Sequence, residues 1–519
     1  MNNLKFKEYY DKVKGCYLGK NIGGTLGAPF ECYRGVYDID GFMQDVSSPI
    51  PNDDVDLQLV WLAAVEQEGK NIDSHVLAEY WDYYVTAVIS EYGTGKNNFS
   101  KGILPPHTGY LRNFNRDSNG AWIRTEIWAC LCAGNPMLAA NYAYYDSCVD
   151  HSDEGVNSAV FIAAVQAAAF FESDVHKLLD IGFSFIPKES AVKKAAELAV
   201  ECYESGDDWK TARKKLFKLV PSSFGEIAGA WKGTAEVPAC EKCPAQEWDK
   251  DIPKAKHGFD APWSIGAIVI GWLYGEGDFG KSICIANLGE DTDCTAGTLG
   301  AILGIISGAS RLPAKWVEAC SDKIATWTIR RDAKLNPPAD ISALCERLVL
   351  QTPAVLRGRC RLCENGSYEI EPAASFLYKP CAFEPFRQED FMEVYSSGHD
   401  TVRKHFRPYT VLIKYDGELV KISEGKEKSF DFKIYNELFA PQYLTFRFLD
   451  VPEDWEVENG CERCVGLEHW HGSSNENSFT WKFIPRNLKR GKYTLILEIS
   501  AEGKGEKNYI PMTFINGAC

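Results

Sequence analysis

The sequence lacks the features that mark several large classes of protein. Its longest apolar runs, residues 265–273 and 296–309, fall short of the roughly 18 residues that a membrane-spanning helix needs. The first residues contain no apolar stretch of the kind found in secretory signal peptides. No long run of lysine and arginine occurs, and the net charge of −16 disfavours a polyanionic partner. We therefore expect neither a membrane nor a nucleic-acid partner.

Cysteine is not scarce, but its use argues against a disulfide framework. The chain has 18 cysteines and no visible secretory signal, so we expect reduced thiols in the cytoplasm. Two Cys-x-x-Cys pairs can form a zinc site, yet more than a hundred residues separate the first two pairs, unlike a compact zinc ribbon. Scattered thiols are the favoured interpretation, with zinc as the alternative, for Cys240/Cys243, Cys360/Cys363 and Cys461/Cys464.

Residues 1–350 show helical periodicity and almost no strand-like alternation. Apolar side chains in residues 56–69 recur at intervals of three and four, which is the pattern of an amphipathic helix. Residues 157–171 and 191–203 behave in the same way, and glycine and proline clusters separate such segments. This pattern predicts an all-α domain over residues 1–350.

The pattern changes after residue 400. Segments there alternate apolar and polar residues at short intervals, which is typical of an antiparallel β-sandwich, namely 409–422, 429–436, 442–451, 478–485 and 492–500. We predict an immunoglobulin-like β-sandwich accessory domain over residues 401–519, joined by a connecting segment over residues 351–400. Its tryptophans could line a sugar-binding face, although core packing explains such residues more often, namely Trp455, Trp470 and Trp481.

Two stripes of glycine recur every four residues in the helical region. Glycine costs about 1 kcal/mol per helix position relative to alanine, so the stripes need a physical reason. Glycine allows two helix backbones to approach closely, and we predict that the stripes serve this packing. The stripes are Gly15, Gly19, Gly23 and Gly27, and Gly300, Gly304 and Gly308.

Acidic residues collect at predicted helix ends. Asp53 and Asp54 precede one helix, Asp291 and Asp293 precede another, and Glu31 follows the first glycine stripe. A single acid in such a place is readily explained as a helix cap. Two adjacent pairs exceed what capping requires, and oxygen ligands suit hard cations such as Mg²⁺, Mn²⁺ or Ca²⁺. The pattern indicates two metals in one site.

Five segments, taken in order, resemble the motifs of the ADP-ribosylglycohydrolases, which include the dinitrogenase reductase-activating glycohydrolases. The segments are GKNIGGTLGAPFE at 19–31, NDDVDLQL at 52–59, SNGAWIRTEIWA at 118–129, DHSDEGVNSAVFIAAV at 150–165 and GEDTDCTAGTLGAILG at 289–304. Any one of them is a weak signal, whereas five in the same order are strong. The resemblance covers about residues 11–310 and does not include the β-rich region.

The resemblance implies an orthogonal all-α fold with two Mg²⁺ ions in a cleft, and hydrolysis at the C1″ carbon of ADP-ribose attached to a protein or small molecule. Glu31 and Asp54 would be catalytic, with Glu31 activating or guiding water. The implied metal ligands are Asn52, Asp53, Asp54, Asp291, Asp293 and Cys294. The implied substrate contacts are Asn119, Gly120, Ala121, Trp122 and His151, and a purely structural His151 is an equal alternative.

The sequence also departs from the family pattern. Asn52 and Val55 stand where the family has threonines, and Cys294 replaces a threonine ligand although a thiol suits Mg²⁺ poorly. Gly24 occupies the place of a common acid, and Asp56 is additional. We expect a metal-dependent hydrolase of an ADP-ribosyl or related ribosyl or furanosyl bond. The alternatives are a glycoside hydrolase acting on another sugar and a non-catalytic, crystallin-like relative.

Overall fold

The computed structural model describes residues 2–31, 39–219, 259–287, 291–330, 335–378, 400–406, 408–438, 440–468, 475–505 and 507–517. The chain divides into two compact units, Met1–Lys379 and Pro380–Cys519. The first unit is mainly helical, and the second consists of antiparallel strands.

The described part of the first unit contains sixteen α-helices. They are α1 (Phe6–Gly27), α2 (Asp53–Glu68), α3 (Ser74–Tyr84), α4 (Ser90–Ser100), α5 (His107–Tyr110), α6 (Glu126–Leu131), α7 (Pro136–Ser147), α8 (Asp153–Ala169), α9 (Val175–Phe183), α10 (Ala191–Glu204), α11 (Trp209–Leu219), α12 (Ala261–Gly275), α13 (Phe279–Ala286), α14 (Thr292–Ser307), α15 (Ala314–Val317) and α16 (Ile341–Leu356). The three amphipathic segments predicted from periodicity form α2, α8 and α10. Among the described helices, none combines the length and apolar character needed to cross a membrane.

The two glycine stripes lie face to face along α1 and α14. A Cβ atom built on Gly15, Gly19 or Gly23 would lie 2.0–2.2 Å from a backbone oxygen of α14. Real side chains never approach backbone so closely, so a larger residue would force the helices apart. The predicted close packing is thus present, and we call this contact the glycine seam. Gly308 instead ends α14 with a φ of 78°, a conformation that favours glycine.

A small antiparallel sheet also belongs to the first unit. Its strands are β1 (Leu4–Lys5), β2 (Cys360–Leu362) and β3 (Tyr368–Ile370), in the order β1-β3-β2. Two of these strands, β2 and β3, fall in the segment predicted to connect the domains, and β3 pairs with both β2 and the strand that precedes α1. Strands of two or three residues are too short to give an alternating pattern, so periodicity did not reveal them.

The described part of the second unit contains nine strands in two antiparallel sheets. They are β4 (Thr401–Phe406), β5 (Tyr409–Tyr415), β6 (Lys428–Asn436), β7 (Gln442–Leu449), β8 (Glu456–Val457), β9 (Glu462–Leu467), β10 (Glu476–Ile484), β11 (Gly491–Ala501) and β12 (Lys507–Asn516). The sheet orders are β4-β5-β6-β10-β8 and β12-β11-β7-β9. Apolar side chains from both sheets form one core, as shown by the rings of Phe432 and Phe446, whose centroids are 6.1 Å apart.

The described tryptophans of the second unit belong to this core. Trp481 is fully buried and Trp455 is 6% exposed, as expected from the packing interpretation. Trp470 lies outside the described residues. The predicted fold class, a helical region followed by antiparallel β-structure, is therefore confirmed, while the immunoglobulin-like sandwich stays a prediction.

The cysteines that the structure describes are free thiols. Cys240 and Cys243 lie outside the described residues. The other two Cys-x-x-Cys motifs contain Cys360, Cys363, Cys461 and Cys464. In the described part of the chain, none of these residues belongs to a group of three side chains that could bind a metal. The scattered-thiol interpretation fits this arrangement.

Candidate metal centre

Three helix ends meet at one point of the helical unit. Glu31 follows α1, Asp54 lies in the first turn of α2, and Asp291 and Asp293 lie at the start of α14. The glycine seam holds the first and third ends together, because a Cβ atom on Gly27 would lie 2.3 Å from the backbone nitrogen of Asp293. Acids far apart in the sequence thereby form one cluster.

The cluster contains two groups of three side chains. Within each group, one ligand atom of every member lies within 4.8 Å of the others. The all-carboxylate group consists of Glu31, Asp291 and Asp293, and the thiol-containing group consists of Asp54, Asp293 and Cys294. Asp293 belongs to both, so the groups are neighbours. The structure thus brings together four of the predicted metal ligands and the predicted catalytic Glu31.

Two other predicted ligands make different contacts. Asn52 caps α2, because its side-chain oxygen accepts a hydrogen bond from the backbone N–H of Asp54 at 2.7 Å. Its amide nitrogen donates to Oδ2 of Asp293 at 3.4 Å. Asp53 is half-buried and accepts a hydrogen bond from the Tyr92 hydroxyl at 3.4 Å, outside both groups. The Asn52 oxygen that a metal could use therefore serves as a helix cap.

The additional acid of the α2 motif serves the fold. Oδ2 of Asp56 accepts hydrogen bonds from the backbone N–H groups of Trp327 and Thr328, at 2.8 and 2.9 Å. The residue is fully buried. Asp56 therefore ties the segment around residue 327 to α2 and does not compensate for the altered ligands.

Burial and mutual repulsion raise the pKa of four carboxyl groups in the centre. Glu31 is exposed at the edge of the cluster, yet partial loss of hydration and the charges of Asp291, Asp53 and Asp54 raise its pKa to about 8. The pKa of Asp53 rises to about 7, chiefly through burial and Asp54. Burial also holds the pKa of Asp291 and Asp293 well above the usual range. Such groups ionise together at neutral pH only beside a cation.

The all-carboxylate group fits a hard divalent cation. Its donors are carboxylate oxygens, which Mg²⁺, Mn²⁺ and Ca²⁺ prefer. Oδ1 of Asp293 is buried and has no hydrogen-bond partner among the described residues. Leaving such an oxygen unpaired is costly, and a bound cation would satisfy it. The thiol-containing group fits less well, because the sulfur of Cys294 is a soft donor.

A buried lysine lies beside the thiol-containing group. Nζ of Lys20 is 2.6 Å from Oδ2 of Asp54 and 3.4 Å from Oε1 of Glu126. It also donates to the carbonyl oxygen of Ile123 at 2.8 Å and the hydroxyl of Thr298 at 3.1 Å. Burial lowers the pKa of Lys20, but the two carboxylates outweigh this effect and raise it overall. The centre therefore contains a permanent ammonium ion.

Sequence reasoning missed both Lys20 and Glu126. Lys20 carried a usable signal, because it is the only charged residue between Gly15 and Gly27, a stretch whose glycines indicate burial. A lone charge on such a helix requires a buried partner. Glu126 gave no signal, since the amides that bind its carboxylate, Gln58 and Gln166, are 68 and 40 residues away.

The predicted substrate-contact segment forms a 3₁₀ turn, Asn119–Arg124, next to the centre. Nδ2 of Asn119 donates to Oδ2 of Asp291, and its Oδ1 accepts from Nε1 of Trp122 at 3.1 Å. Gly120, Ala121 and Trp122 are buried. Asn119 is therefore the member that contacts the acidic centre, and Trp122 holds its amide in position.

His151, predicted to contact the ligand, instead contacts Ser118, the residue before the 3₁₀ turn. His151 is fully buried, with Nδ1 2.8 Å from Oδ1 of Asp150 and Nε2 2.9 Å from the hydroxyl of Ser118. Ser118 directly precedes Asn119. Because both ring nitrogens have protein partners, the structure favours the structural interpretation of His151.

A second buried cluster of charge surrounds Arg124. Its guanidinium donates to Asp146 at 2.8 Å, to Asp150 at 2.7 Å and to the carbonyl oxygen of Gly120 at 2.9 Å. It also lies over the ring of Trp81, 4.4 Å from the centroid. We call Arg124, Asp146, Asp150 and His151 the arginine cluster. In it, each acid contacts a protein cation.

The first unit is a helical domain in which carboxylates from three helix ends meet, with Asp54, Asp291 and Asp293 buried and Glu31 exposed. The sequence profile of the ADP-ribosylglycohydrolases matches residues 6–354, more than half of the 519-residue chain. The chain belongs to the ADP-ribosylglycohydrolase family. Membership in this family indicates a hydrolase with glycohydrolase activity on ADP-ribose-like substrates.

Comparison with solved structures gives 33 matching chains. A solved chain described as an ADP-ribosylglycohydrolase-related protein complex is 16% identical to this chain, with a TM-score of 0.42. The match covers 68% of this chain and 99% of that chain. No curated protein matches the sequence.

Proposed function

We propose that the protein is a metal-dependent hydrolase that cleaves the glycosidic bond of an ADP-ribosyl or related ribosyl or furanosyl substrate. The observation that carries this proposal is the all-carboxylate group, in which Glu31, Asp291 and Asp293 converge and Oδ1 of Asp293 lacks a hydrogen-bond partner among the described residues. Carboxylates so close together need a cation, and family membership supplies the class of reaction.

The side chains divide the chemical work. A divalent cation, Mg²⁺ or in its place Mn²⁺ or Ca²⁺, would be held by Asp291 and Asp293 and would supply positive charge for sugar hydroxyls and water. Glu31 would accept a proton from the attacking water as the water oxygen bonds to the anomeric carbon, and the departing group would take up a proton as its bond to that carbon breaks. Asn119 would keep the carboxylate of Asp291 in position through its side-chain amide.

The decisive test combines metal binding with hydrolysis. Calorimetric titration of the metal-stripped protein with Mg²⁺, Mn²⁺ and Ca²⁺ would be repeated with ADP-ribose present. We expect metal binding that tightens with ADP-ribose, and release of ADP-ribose from an ADP-ribosylated protein. Absence of metal binding would contradict the proposal and favour the non-catalytic alternative.

Two variants separate the roles of the acids. Asp293→Asn should abolish both metal binding and hydrolysis. Glu31→Gln should lower kcat by roughly 10²–10⁴-fold, the range of general acid–base catalysis, with a smaller effect on metal affinity. The matched control is Asp174→Asn, because Asp174 caps α9 at an exposed position and contacts no metal candidate. Equal losses in the control would mean that the changes act through the fold.

One observation keeps a second substrate class in view. Lys20 and Cys294 alter the surroundings of Asp54, so the sugar bound here could differ from ADP-ribose. Metal binding that does not respond to ADP-ribose would favour a glycoside hydrolase acting on another sugar. A panel of nitrophenyl furanosides would then identify the sugar.

A further inference from the structure

The two groups of the metal centre differ in one decisive respect, because the thiol-containing group has its own cation. Nζ of Lys20 lies 2.6 Å from Oδ2 of Asp54, and the other oxygen of Asp54 accepts a hydrogen bond from the thiol of Cys294 at 3.3 Å. We infer that the Lys20 ammonium takes the electrostatic role of a second metal, so that the centre binds a single divalent cation, in the all-carboxylate group. This inference rests on the proposed function, since it concerns the same centre.

Both carboxylate oxygens of Asp54 already contact the protein. Oδ1 accepts a hydrogen bond from Cys294, and Oδ2 lacks a hydrogen bond from the described residues but forms the 2.6 Å ion pair with Lys20, while the residue is fully buried. A cation at this position would have to displace the ammonium of Lys20. That ammonium also contacts Glu126, the carbonyl oxygen of Ile123 and the hydroxyl of Thr298, so it is held from several sides.

The fold provides a prepared place for the lysine. Lys20 follows Gly19, whose backbone touches α14 at Gly300, so the glycine seam sets the position of the side chain. A Cβ atom on Gly297 would lie 3.4 Å from Cδ of Lys20, which shows that α14 leaves room for the aliphatic stem. Thr298, the next residue of α14, then receives a hydrogen bond from the ammonium. The ammonium is thus a built-in part of the centre.

The charges lead to the same conclusion. Asp54 is paired with the ammonium of Lys20, and the sulfur of Cys294 is a soft donor that suits a hard divalent cation poorly. The remaining member of the thiol-containing group, Asp293, is shared with the all-carboxylate group. A second dication would therefore find no carboxylate of its own, and bringing it beside the Lys20 ammonium would place like charges together.

The number of bound ions tests the inference directly. Metal-stripped full-length protein would be titrated with Mn²⁺ by calorimetry, and bound Mn²⁺ would be counted by elemental analysis after dialysis. We expect one Mn²⁺ per chain and no magnetic coupling between Mn²⁺ ions in the electron paramagnetic resonance spectrum. Two Mn²⁺ per chain would overturn this inference and leave the proposed function intact. No bound Mn²⁺ would overturn both.

Removing the ammonium should create the missing site. Lys20→Met keeps a chain of similar length without the charge, and we expect its stoichiometry to rise from one to two Mn²⁺ per chain. The double variant Lys20→Met/Asp54→Asn should return to one. Lys12→Met is the matched control, because Lys12 is a buried lysine of the same helix that donates to the carbonyl oxygens of Ile305 and Ile306. A folded Lys20→Met protein that still binds one ion would overturn the inference.

A spectroscopic measurement does not depend on how the lysine variant folds. Cobalt(II) bound to a thiolate gives an intense charge-transfer band in the near ultraviolet. We expect wild-type protein loaded with one Co²⁺ to have no band that depends on Cys294, because the ion would lie in the all-carboxylate group. A band that disappears in Cys294→Ser would place a metal beside Asp54 and overturn the inference.

Discussion

The helical unit contains two clusters of acids that differ in their cationic partners. In the arginine cluster, burial raises the pKa of Asp150, but Arg124 and His151 lower it overall, whereas at Asp146 burial outweighs Arg124 and raises the pKa to about 6. In the metal centre, burial and neighbouring carboxylates raise the pKa of Asp291 and Asp293, and no protein cation compensates them among the described residues. The comparison teaches that a structural acid cluster and a candidate ligand site are distinguished by their partners.

The metal centre also contains this contrast within itself. Asp54 faces the ammonium of Lys20 and resembles a member of the arginine cluster, whereas Asp293 has a buried oxygen without a partner among the described residues. Lys20 therefore supplies the thiol-containing group with a cation from the protein itself. The all-carboxylate group still requires a cation from solution.

The largest expected effect comes from removing the cation of the arginine cluster, Arg124. Arg124→Met would leave Asp146 and Asp150 buried without their main partner and should lower the free energy of unfolding by about 3–5 kcal/mol. Urea denaturation would measure this loss. The control is Arg116→Met, which breaks a half-exposed ion pair with Asp153 and should cost less than about 1 kcal/mol. Equal losses of unfolding free energy in the two variants would contradict the expectation that a buried ion pair matters more than a half-exposed one.

Removing one acid should change stability in opposite directions in the two clusters. In the presence of a chelator, Asp293→Asn should raise the free energy of unfolding by on the order of 1 kcal/mol, because it removes an anion that its neighbours disfavour. Asp150→Asn should lower it instead, since it weakens the contacts with Arg124 and His151. Thermal unfolding in a chelator would compare them, and a destabilised Asp293→Asn protein would contradict the contrast.

The pH dependence of stability should separate the metal-free and metal-bound states. The folded pKa of about 7 for Asp53 and about 8 for Glu31 lie above the ordinary values of 3.8 and 4.5. Raised carboxyl pKa values mean that the metal-free fold loses stability as pH rises through this interval. We expect the melting temperature in a chelator to fall by a few degrees between about pH 5 and about pH 8. Saturating Mg²⁺ should remove this fall, and parallel profiles would argue against cation binding.

The smallest expected effect comes from the residue that joins the two regions. Ser118→Ala removes the hydroxyl that contacts His151 and should cost about 0.5–1.5 kcal/mol, the net value of one hydrogen bond. Because Ser118 precedes Asn119, which contacts Asp291, Mn²⁺ affinity should fall by no more than a few-fold. A loss of affinity as large as that of Asp293→Asn would show that the arginine cluster and the metal centre act as one unit.

The sequence allowed much of the fold to be predicted, because local patterns determine it. Helical periodicity indicated α2, α8 and α10, alternation indicated five of the nine described strands of the second unit, and the glycine stripes indicated a close contact between helices. The acids of the centre could also be identified from the sequence, since each pair lies within one short motif. These features depend on residues close together in the chain.

The remaining features depend on contacts between distant segments. The side-chain oxygen of Asn52 suited either a metal or a helix cap. The structure shows that it accepts a hydrogen bond from the backbone N–H of Asp54 and therefore caps α2. Lys20 and Glu126 became part of the centre through side chains from other helices. Sequence patterns indicate which face of a helix is buried, but they do not identify the polar side chain of another helix that contacts this face.

The glycine seam has a consequence for how this protein tolerates change. The distance between the end of α1 and the start of α14 is set by main-chain atoms in contact, so one added methyl group at Gly19 or Gly23 would widen it. A complete mutational scan would therefore show intolerant positions at every fourth residue along both helices, from Gly15 at the far end to Gly27 beside the acids. Side chains at the centre, in contrast, could be exchanged to alter metal preference while the spacing of the scaffold remained unchanged.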